Sequence, residues 1–286
     1  LPEAVTSFAF SGNLKDQSPN QSHGEGHALW SFGTDRFGRP NEALSLSTDS
    51  PGYISVRNPK FPSGVSQRTI SLWFQANPER FFQTGPNSRA AALLSFGPWN
   101  ASQPGLVMFL SYENQTNLVP SASAEPTGNY VFGVRRPDNQ WHHLVFTYAN
   151  RTGNLYFDGA LLKSGDIPVE TYTEELQIGR EHGGWRQFDG LLDDIRIYNR
   201  TVSGEEVRAL YSEVPPPDLH SAGLFVGFTV SGVAGKTYLI QHSPDSTSPV
   251  WTTLTHLTLT NSQQTWVDTS ATASARSRGF YRAVPP

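Results

Sequence analysis

Apolar residues in this chain come in short alternating runs, each soon cut off by glycine, proline or asparagine. Ile70-Ser71-Leu72-Trp73-Phe74, Trp141 to Tyr148 and Leu155-Tyr156-Phe157 are of this kind. A period of two sends successive side chains to opposite faces and reads as strand. Ala43 to Leu46, Gly52 to Val56, Ala90 to Phe96, Leu106 to Tyr112 and Tyr130 to Val134 extend the series, and residues 4–14, anchored by Phe8, Phe10 and Leu14, read as an opening strand and loop. Asp158-Gly159 lies between two apolar runs, a hairpin signal because both residues tolerate positive φ. Ten or more strands with almost no helix predict an all-β, antiparallel sandwich.

The helical exception is Ser203-Gly204-Glu205-Glu206, a capping box, followed by Val207, Leu210 and Tyr211 at i, i+3, i+4 spacing. Pro215-Pro216-Pro217 then forbids continuation and acts as a stiff spacer. Three units are expected: a large β domain over 1–214, a proline-rich linker over 215–220 and a small β-sandwich-like module over 221–286. The module has strand signals at Leu224 to Val230, Lys236 to Gln241, Trp251 to Thr260, Gln264 to Asp268 and Phe280 to Val284. It offers no cluster of acids or bases and reads as a surface or spacer element.

Composition narrows the functional classes. The 286 residues carry a net charge of −4 with only 16% charged residues, and no basic stripe suits a nucleic-acid partner. There is no cysteine, which removes disulfides, thiolate metal sites and a cysteine nucleophile. No apolar run approaches the roughly 18 residues of a membrane span, so no membrane insertion is expected. The start Leu1-Pro2-Glu3 suggests a processed N-terminus, and a cysteine-free β chain suits a bacterial extracellular or cell-surface protein.

The sharpest chemical question lies in Phe188-Asp189-Gly190-Leu191-Leu192-Asp193-Asp194-Ile195-Arg196-Ile197-Tyr198. Strict alternation would put Leu191, Asp193, Ile195 and Ile197 on one row and Leu192, Asp194, Arg196 and Tyr198 on the other. Asp193 is then a carboxylate on an apolar row and requires backbone donors, a basic side chain or a metal ion. Asp194 and Arg196 share the second row and predict a same-face ion pair.

Phe10-Ser11-Gly12-Asn13 with Asp16, Arg36-Phe37-Gly38, Trp141 to Tyr148, Leu155 to Gly159, Phe188-Asp189-Gly190 and Asp193 to Arg200 together resemble the laminin-G-like, concanavalin A-like jelly-roll domains of bacterial surface proteins. The resemblance covers about residues 5 to 212. The C-terminal module, with Gly235 to Ile240 and Gly279 to Arg282, is similar to small β domains attached to such proteins in Verrucomicrobia and Planctomycetes. The resemblance implies two antiparallel sheets, a concave glycan-facing side and a structural calcium. Calcium would map to Asp193, with Asp16 as a second ligand and backbone carbonyls near Gly38 completing the shell; the alternatives are a carboxylate capped by backbone N–H at Asp193 and an Asx-turn at Asp16.

For ligand binding the candidates are His182, Trp185 and Arg186 in one glycine-rich loop, and Trp99 in another. An exposed indole stacks on a sugar ring and a guanidinium binds hydroxyls or an acidic group. The opposing reading folds these tryptophans back on the sheet. His142 and His143 sit inside a strand and point to opposite faces, a poor arrangement for catalysis. The Glu-x-Asp-x-x-Glu strand of the jelly-roll glucanases, a G-x-S-x-G elbow, a P-loop and H-E-x-x-H are all absent from the sequence, and Glu174-Glu175, the nearest acidic pair, would diverge on a strand. The expected function is a non-catalytic carbohydrate-binding or adhesion protein whose partner is a glycan or cell-surface molecule. A polysaccharide lyase or hydrolase on the same scaffold, and a structural interaction module of an envelope protein, are the alternatives.

Overall fold

The computed structural model describes residues 3–57, 60–77, 90–97, 105–113, 117–125, 129–134, 138–171, 175–182, 184, 186–214, 218–221, 227–244, 250–268 and 279–286. Strands are numbered in chain order. One sheet contains β1 (Thr6–Phe8), β3 (Ser31–Gly33), β4 (Ala43–Leu46), β6 (Arg68–Ala76), β11 (Trp141–Ala149), β12 (Thr152–Phe157), β13 (Ala160–Asp166) and β15 (Gly190–Tyr198). Its order is β13-β12-β11-β6-β15-β4-β3, with β1 also on β15. The other contains β2 (Glu25–His27), β5 (Tyr53–Arg57), β7 (Ala90–Phe96), β8 (Gly105–Glu113), β9 (Asn117–Glu125), β10 (Asn129–Phe132) and β14 (Glu175–Ile178), in the order β10-β9-β8-β7-β14-β5-β2. All the pairings are antiparallel, and one core lies between the sheets, built from Phe8, Leu44, Leu72, Phe74, Leu144 and Phe146 on one side and Ile54, Val56, Leu93, Met108, Leu176 and Ile178 on the other. This is the expected jelly-roll sandwich.

Three strands escape the alternation rule. β2 and β3 are three residues each, too short to carry a pattern. β9 contains Pro120 and a run of Ser and Ala, and propensity reads it as loop. Its long register with β8, from Glu113↔Asn117 to Gly105↔Glu125, overrides that reading.

Strict alternation fails in β15. Asp193 pairs with Trp73 and Arg196 with Ser71, so two residues, Asp194 and Ile195, stand opposite Leu72 alone. This is a β-bulge, and Asp194 takes φ +44° to make it. The extra residue changes the face, so Leu192 before the bulge and Ile195 and Ile197 after it all enter the core. The single row expected for Leu191, Asp193, Ile195 and Ile197 therefore does not form. Asp193 is nevertheless buried, and its Oδ1 accepts the Asp194 N–H at 2.7 Å, holding the backbone group that the bulge displaces. The Asp194–Arg196 pair forms at 3.4 Å.

Asp158 (φ +49°) and Gly159 (φ +76°) make the two-residue turn between β12 and β13. The Asp158 carboxylate also accepts the His143 N–H at 2.9 Å and faces His142 Nδ1 at 2.8 Å, while His142 Nε2 faces Asp138 at 2.9 Å. Burial opposes charge on this imidazole, but the two carboxylates outweigh it and raise its pKa above the ordinary 6.5. His143 lies on the opposite face, buried, with Nε2 2.8 Å from Ser71 Oγ.

Helix α1 (Gly204–Tyr211) closes the large domain. Ser203 Oγ accepts the Glu206 N–H and Glu206 returns to the Ser203 N–H, the predicted capping box. Val207 and Leu210 pack with Val145, Tyr198 and Val202 on the outer side of the eight-stranded sheet, and Tyr211 stacks on Trp73 at 5.5 Å. Glu206 also pairs with Arg200, which together with the Ser203 N–H holds its carboxyl down to about 2.

The chain divides into two compact units, one ending at Ser212 and the other comprising Glu213–Pro286 with Arg36–Arg39. The smaller unit has two three-stranded sheets, β16 (Asp218–Ser221), β17 (Gly227–Ser231) and β20 (Gln263–Val267), and β19 (Thr252–Thr258), β18 (Thr237–Ser243) and β21 (Phe280–Val284). Residues 218–220, expected in the linker, are strand, because Asp218 to Ser221 pair with Ser231 to Phe228. Val230, Tyr238, Ile240, Leu259 and Ala283 form its core.

Two outcomes follow. Ser203→Ala removes the cap and lowers stability by about 1 kcal/mol in denaturant unfolding. The His142 pKa is raised on folding, so its contribution is complete below pH 6.5 and is lost as pH rises through the folded value. Thermal midpoints of the wild type minus those of His142→Gln should therefore shrink from pH 6 towards pH 8; a difference independent of pH would refute the charged clamp.

Candidate functional site

Because Ile54, Val56, Leu176 and Ile178 fill the core, their neighbours Tyr53, Ser55, Glu175 and Gln177 point away from it on the outer face of the seven-stranded sheet. A connected polar and aromatic row occupies that face. The His27 ring stacks on Tyr53 with centroids 4.4 Å apart and planes 12° apart, and His27 Nε2 lies 2.7 Å from Ser55 Oγ. The Arg180 guanidinium carbon lies 3.1 Å from the Tyr53 centroid. Two groups this close cannot share one side of a ring, so Tyr53 is sandwiched between imidazole and guanidinium. Arg180 Nε donates to Gln177 Oε1 at 2.8 Å, and Gln177 Nε2 donates to Glu175 Oε1 at 3.0 Å.

The segment that supplies Arg180 leaves the end of β14. Ser95 Oγ donates to the Arg180 carbonyl at 3.1 Å, and the Ala92 N–H donates to the Arg186 carbonyl at 2.7 Å, so both ends of the loop are tied to β7. Arg186 lies 3.4 Å from Glu181 and 5.6 Å from the Phe109 centroid, with its side chain 37% exposed. His182 is buried; burial pushes its pKa below 6.5 against the pull of Glu175. It is thus a neutral imidazole beneath the loop, while Arg186 faces solvent in part. Trp185 and Trp99 lie outside the described residues.

Sequence reading found the loop but missed Tyr53, His27 and Arg180. The alternation in Tyr53-Ile54-Ser55-Val56 and Glu175-Leu176-Gln177-Ile178 would have placed the outward residues. That β2, β5 and β14 are neighbours is a tertiary fact.

Among the described residues the acids Glu25, Glu175 and Glu181 on this side have partners. Glu25 lies 3.8 Å from Arg57, Glu175 accepts from Gln177, and Glu181 pairs with Arg186. The arrangement presents imidazole and guanidinium groups held in fixed positions, with the buried Gln177 amide anchoring Arg180, which suits hydrogen bonding to hydroxyls.

At the expected metal residues, Asp16 is buried and saturated. Its Oδ1 accepts the Ser7 and Ser18 N–H groups and its Oδ2 accepts Ser18 Oγ and the Ser22 N–H, each at 2.9 Å. Calcium takes six to eight oxygens, and ligation by Asp16 would have to displace these donors. Asp16 does not fit as a ligand. Among the described residues no three His, Asp or Glu side chains gather as a metal group.

The family model for the concanavalin A-like lectin/glucanases superfamily matches residues 48–208. The chain belongs to that superfamily. Among solved structures it resembles domain 4 of AbnA, an extracellular GH43 arabinanase from Geobacillus stearothermophilus solved with arabinotriose, at TM-score 0.55 and 19% identity over 73% of this chain and 98% of that one. The binding domain of botulinum neurotoxin DC in complex with SialylT follows at 0.51 and 12%, covering 83% and 56%. A Trypanosoma cruzi sialidase is 29% identical over 134 residues, 43% of this chain and 11% of the sialidase. The Danio rerio adhesion G-protein coupled receptor V1 is 18% identical over 196 residues, 67% of this chain and 3% of the receptor. The chain thus spans a small fraction of both curated relatives, and the structural likeness establishes the superfamily fold. Among the described residues no helix is long and apolar enough to cross a membrane.

If Arg180 and Tyr53 form the stacked pair, a double-mutant cycle of Tyr53→Ala and Arg180→Ala in urea unfolding should return a coupling of about 1 kcal/mol. Simple additivity would mean that the two side chains act independently.

Proposed function

We propose that the large domain is a non-catalytic carbohydrate-binding module that takes a glycan across the outer face of its seven-stranded sheet. The observation that carries this reading is the ordered row His27–Tyr53–Arg180–Gln177–Glu175, whose rigid hydrogen-bonding groups match a polyhydroxylated ligand. Arg180 and Arg186 add tolerance for an acidic sugar. The arabinotriose complex of the arabinanase domain and the SialylT complex of the neurotoxin domain support a saccharide ligand, and the sialidase relative is in keeping with it. Binding without hydrolysis is favoured because, among the described residues, Glu175 and Glu181 are engaged by Gln177 and Arg186, and the Glu-x-Asp-x-x-Glu strand of jelly-roll glucanases is absent from the sequence. Trp185 and Trp99 are assigned to the same recognition surface on sequence grounds. Exposure outside a bacterial cell is part of the reading.

Structural calcium, in this reading, falls to Asp193 alone and not to Asp16. EDTA should then lower the melting midpoint of the wild type and leave Asp193→Asn unmoved; an equal response of both proteins, or of neither, removes calcium from the proposal. For the glycan, affinity electrophoresis through gels containing arabinan, other neutral polysaccharides or polysialic acid should retard the wild type without releasing product. Arg180→Ala and His27→Ala should weaken the retardation about tenfold with folding preserved. Unretarded migration in every gel would sink the assignment.

A further inference from the structure

A second, separate cavity opens on the eight-stranded sheet, where β4 and β6 end and β15 begins. It has a volume of about 570 Å³ and is lined by Ser45, Ser47, Gln75, Asn77, Asn139 and Asp189, with Leu46 and Leu191 as its apolar contribution. That volume lies within the range of small-molecule sites. Among the described residues no Lys, Arg or His lines it, and the one charge there is Asp189. Both its oxygens are engaged: Oδ2 by the Thr48 N–H at 2.8 Å, Thr48 Oγ1 at 3.0 Å and Ser47 Oγ at 3.3 Å, and Oδ1 by Asn77 Nδ2 at 3.2 Å.

The amides are differently placed. Gln75 Nε2 donates to the Asn139 carbonyl at 2.8 Å, and among the described residues Gln75 Oε1 remains for a ligand. Asn77 uses its Nδ2 on Asp189, and its Oδ1 has no partner among the described residues. The Asn139 side-chain amide and the Ser45 hydroxyl make no hydrogen bond within the protein among the described residues, and both line the cavity. Asn139 is held at the rim with φ +55° by Gln75 and by its neighbour Asp138, which is fastened to His142. Among the described residues the fixed carboxylate has no cation beside it, which disfavours anions, while amide oxygens and a hydroxyl beside two leucines suit a ligand with alternating hydroxyl and C–H surfaces.

We propose that this cavity is a second binding site, specific for a neutral saccharide and independent of the face that carries His27, Tyr53 and Arg180. The test uses the full 286-residue chain and NMR titration with methyl glycosides of arabinose, glucose, galactose and mannose, with glucuronate as the anionic control. At least one neutral glycoside should shift the side-chain amide signals of Gln75, Asn77 and Asn139. Asn139→Gly, which suits the positive φ, and Ser45→Ala should each weaken that response about tenfold at unchanged melting temperature, while Arg180→Ala should leave it intact. The proposal is overturned if none of the glycosides moves these amides, if both variants bind as the wild type does, if glucuronate binds equally well, or if Arg180→Ala abolishes the response.

Discussion

The large domain depends on one extra residue in its central strand. β15 pairs with β6 along one side and with β4 and then β1 along the other, and the bulge at Asp194 falls where β4 gives way to β1. Without it, Leu192 and Ile195 could not both face the core, because three residues of regular strand separate opposite faces. The bulge displaces a backbone N–H, and the neighbouring Asp193 carboxylate accepts it. A buried acid that looks like a chemical group is thus part of the device that sets the sandwich register.

The same use of carboxylates recurs. Asp16 gathers three backbone N–H groups and a hydroxyl from β1 and the loop after it, Asp158 joins the β12–β13 turn to β11, and Asp189 ties the start of β15 to Thr48 and Asn77. In a chain with 16% charged residues and no cysteine, buried or half-buried aspartates hold the loops of the sandwich at its rims. Each is affordable because every burial is matched by donors. It also explains why Asp16, read as a candidate calcium ligand, turns out to be occupied by its own loop.

The two surfaces proposed to take ligands differ in chemistry. The seven-stranded sheet presents stacked rings and guanidinium groups, and the eight-stranded sheet presents amides and hydroxyls around a satisfied carboxylate. A jelly roll can hold both, since the two faces share a core but no side chains.

Much of the fold was legible from local pattern. Period-two runs announced β5, β6, β11 and β12; Asp158-Gly159 announced its hairpin; and Ser203 with Glu206 announced α1, since turn and cap chemistry are decided within a few residues. β9 was not legible, because Pro120 and a series of small residues become strand only through pairing with β8. The bulge was invisible for the same reason, as a residue count opposite Leu72 exists only once β6 lies beside β15. Of the candidate site, the sequence by itself determined the loop that holds His182 and Arg186 and the outward positions on single strands. Only the tertiary structure decided that Arg180 lies over Tyr53, that His27 stacks on the same ring, and that Ser45, Gln75 and Asn139 surround one cavity, because those neighbours come from strands far apart in the chain and are joined by sheet order alone.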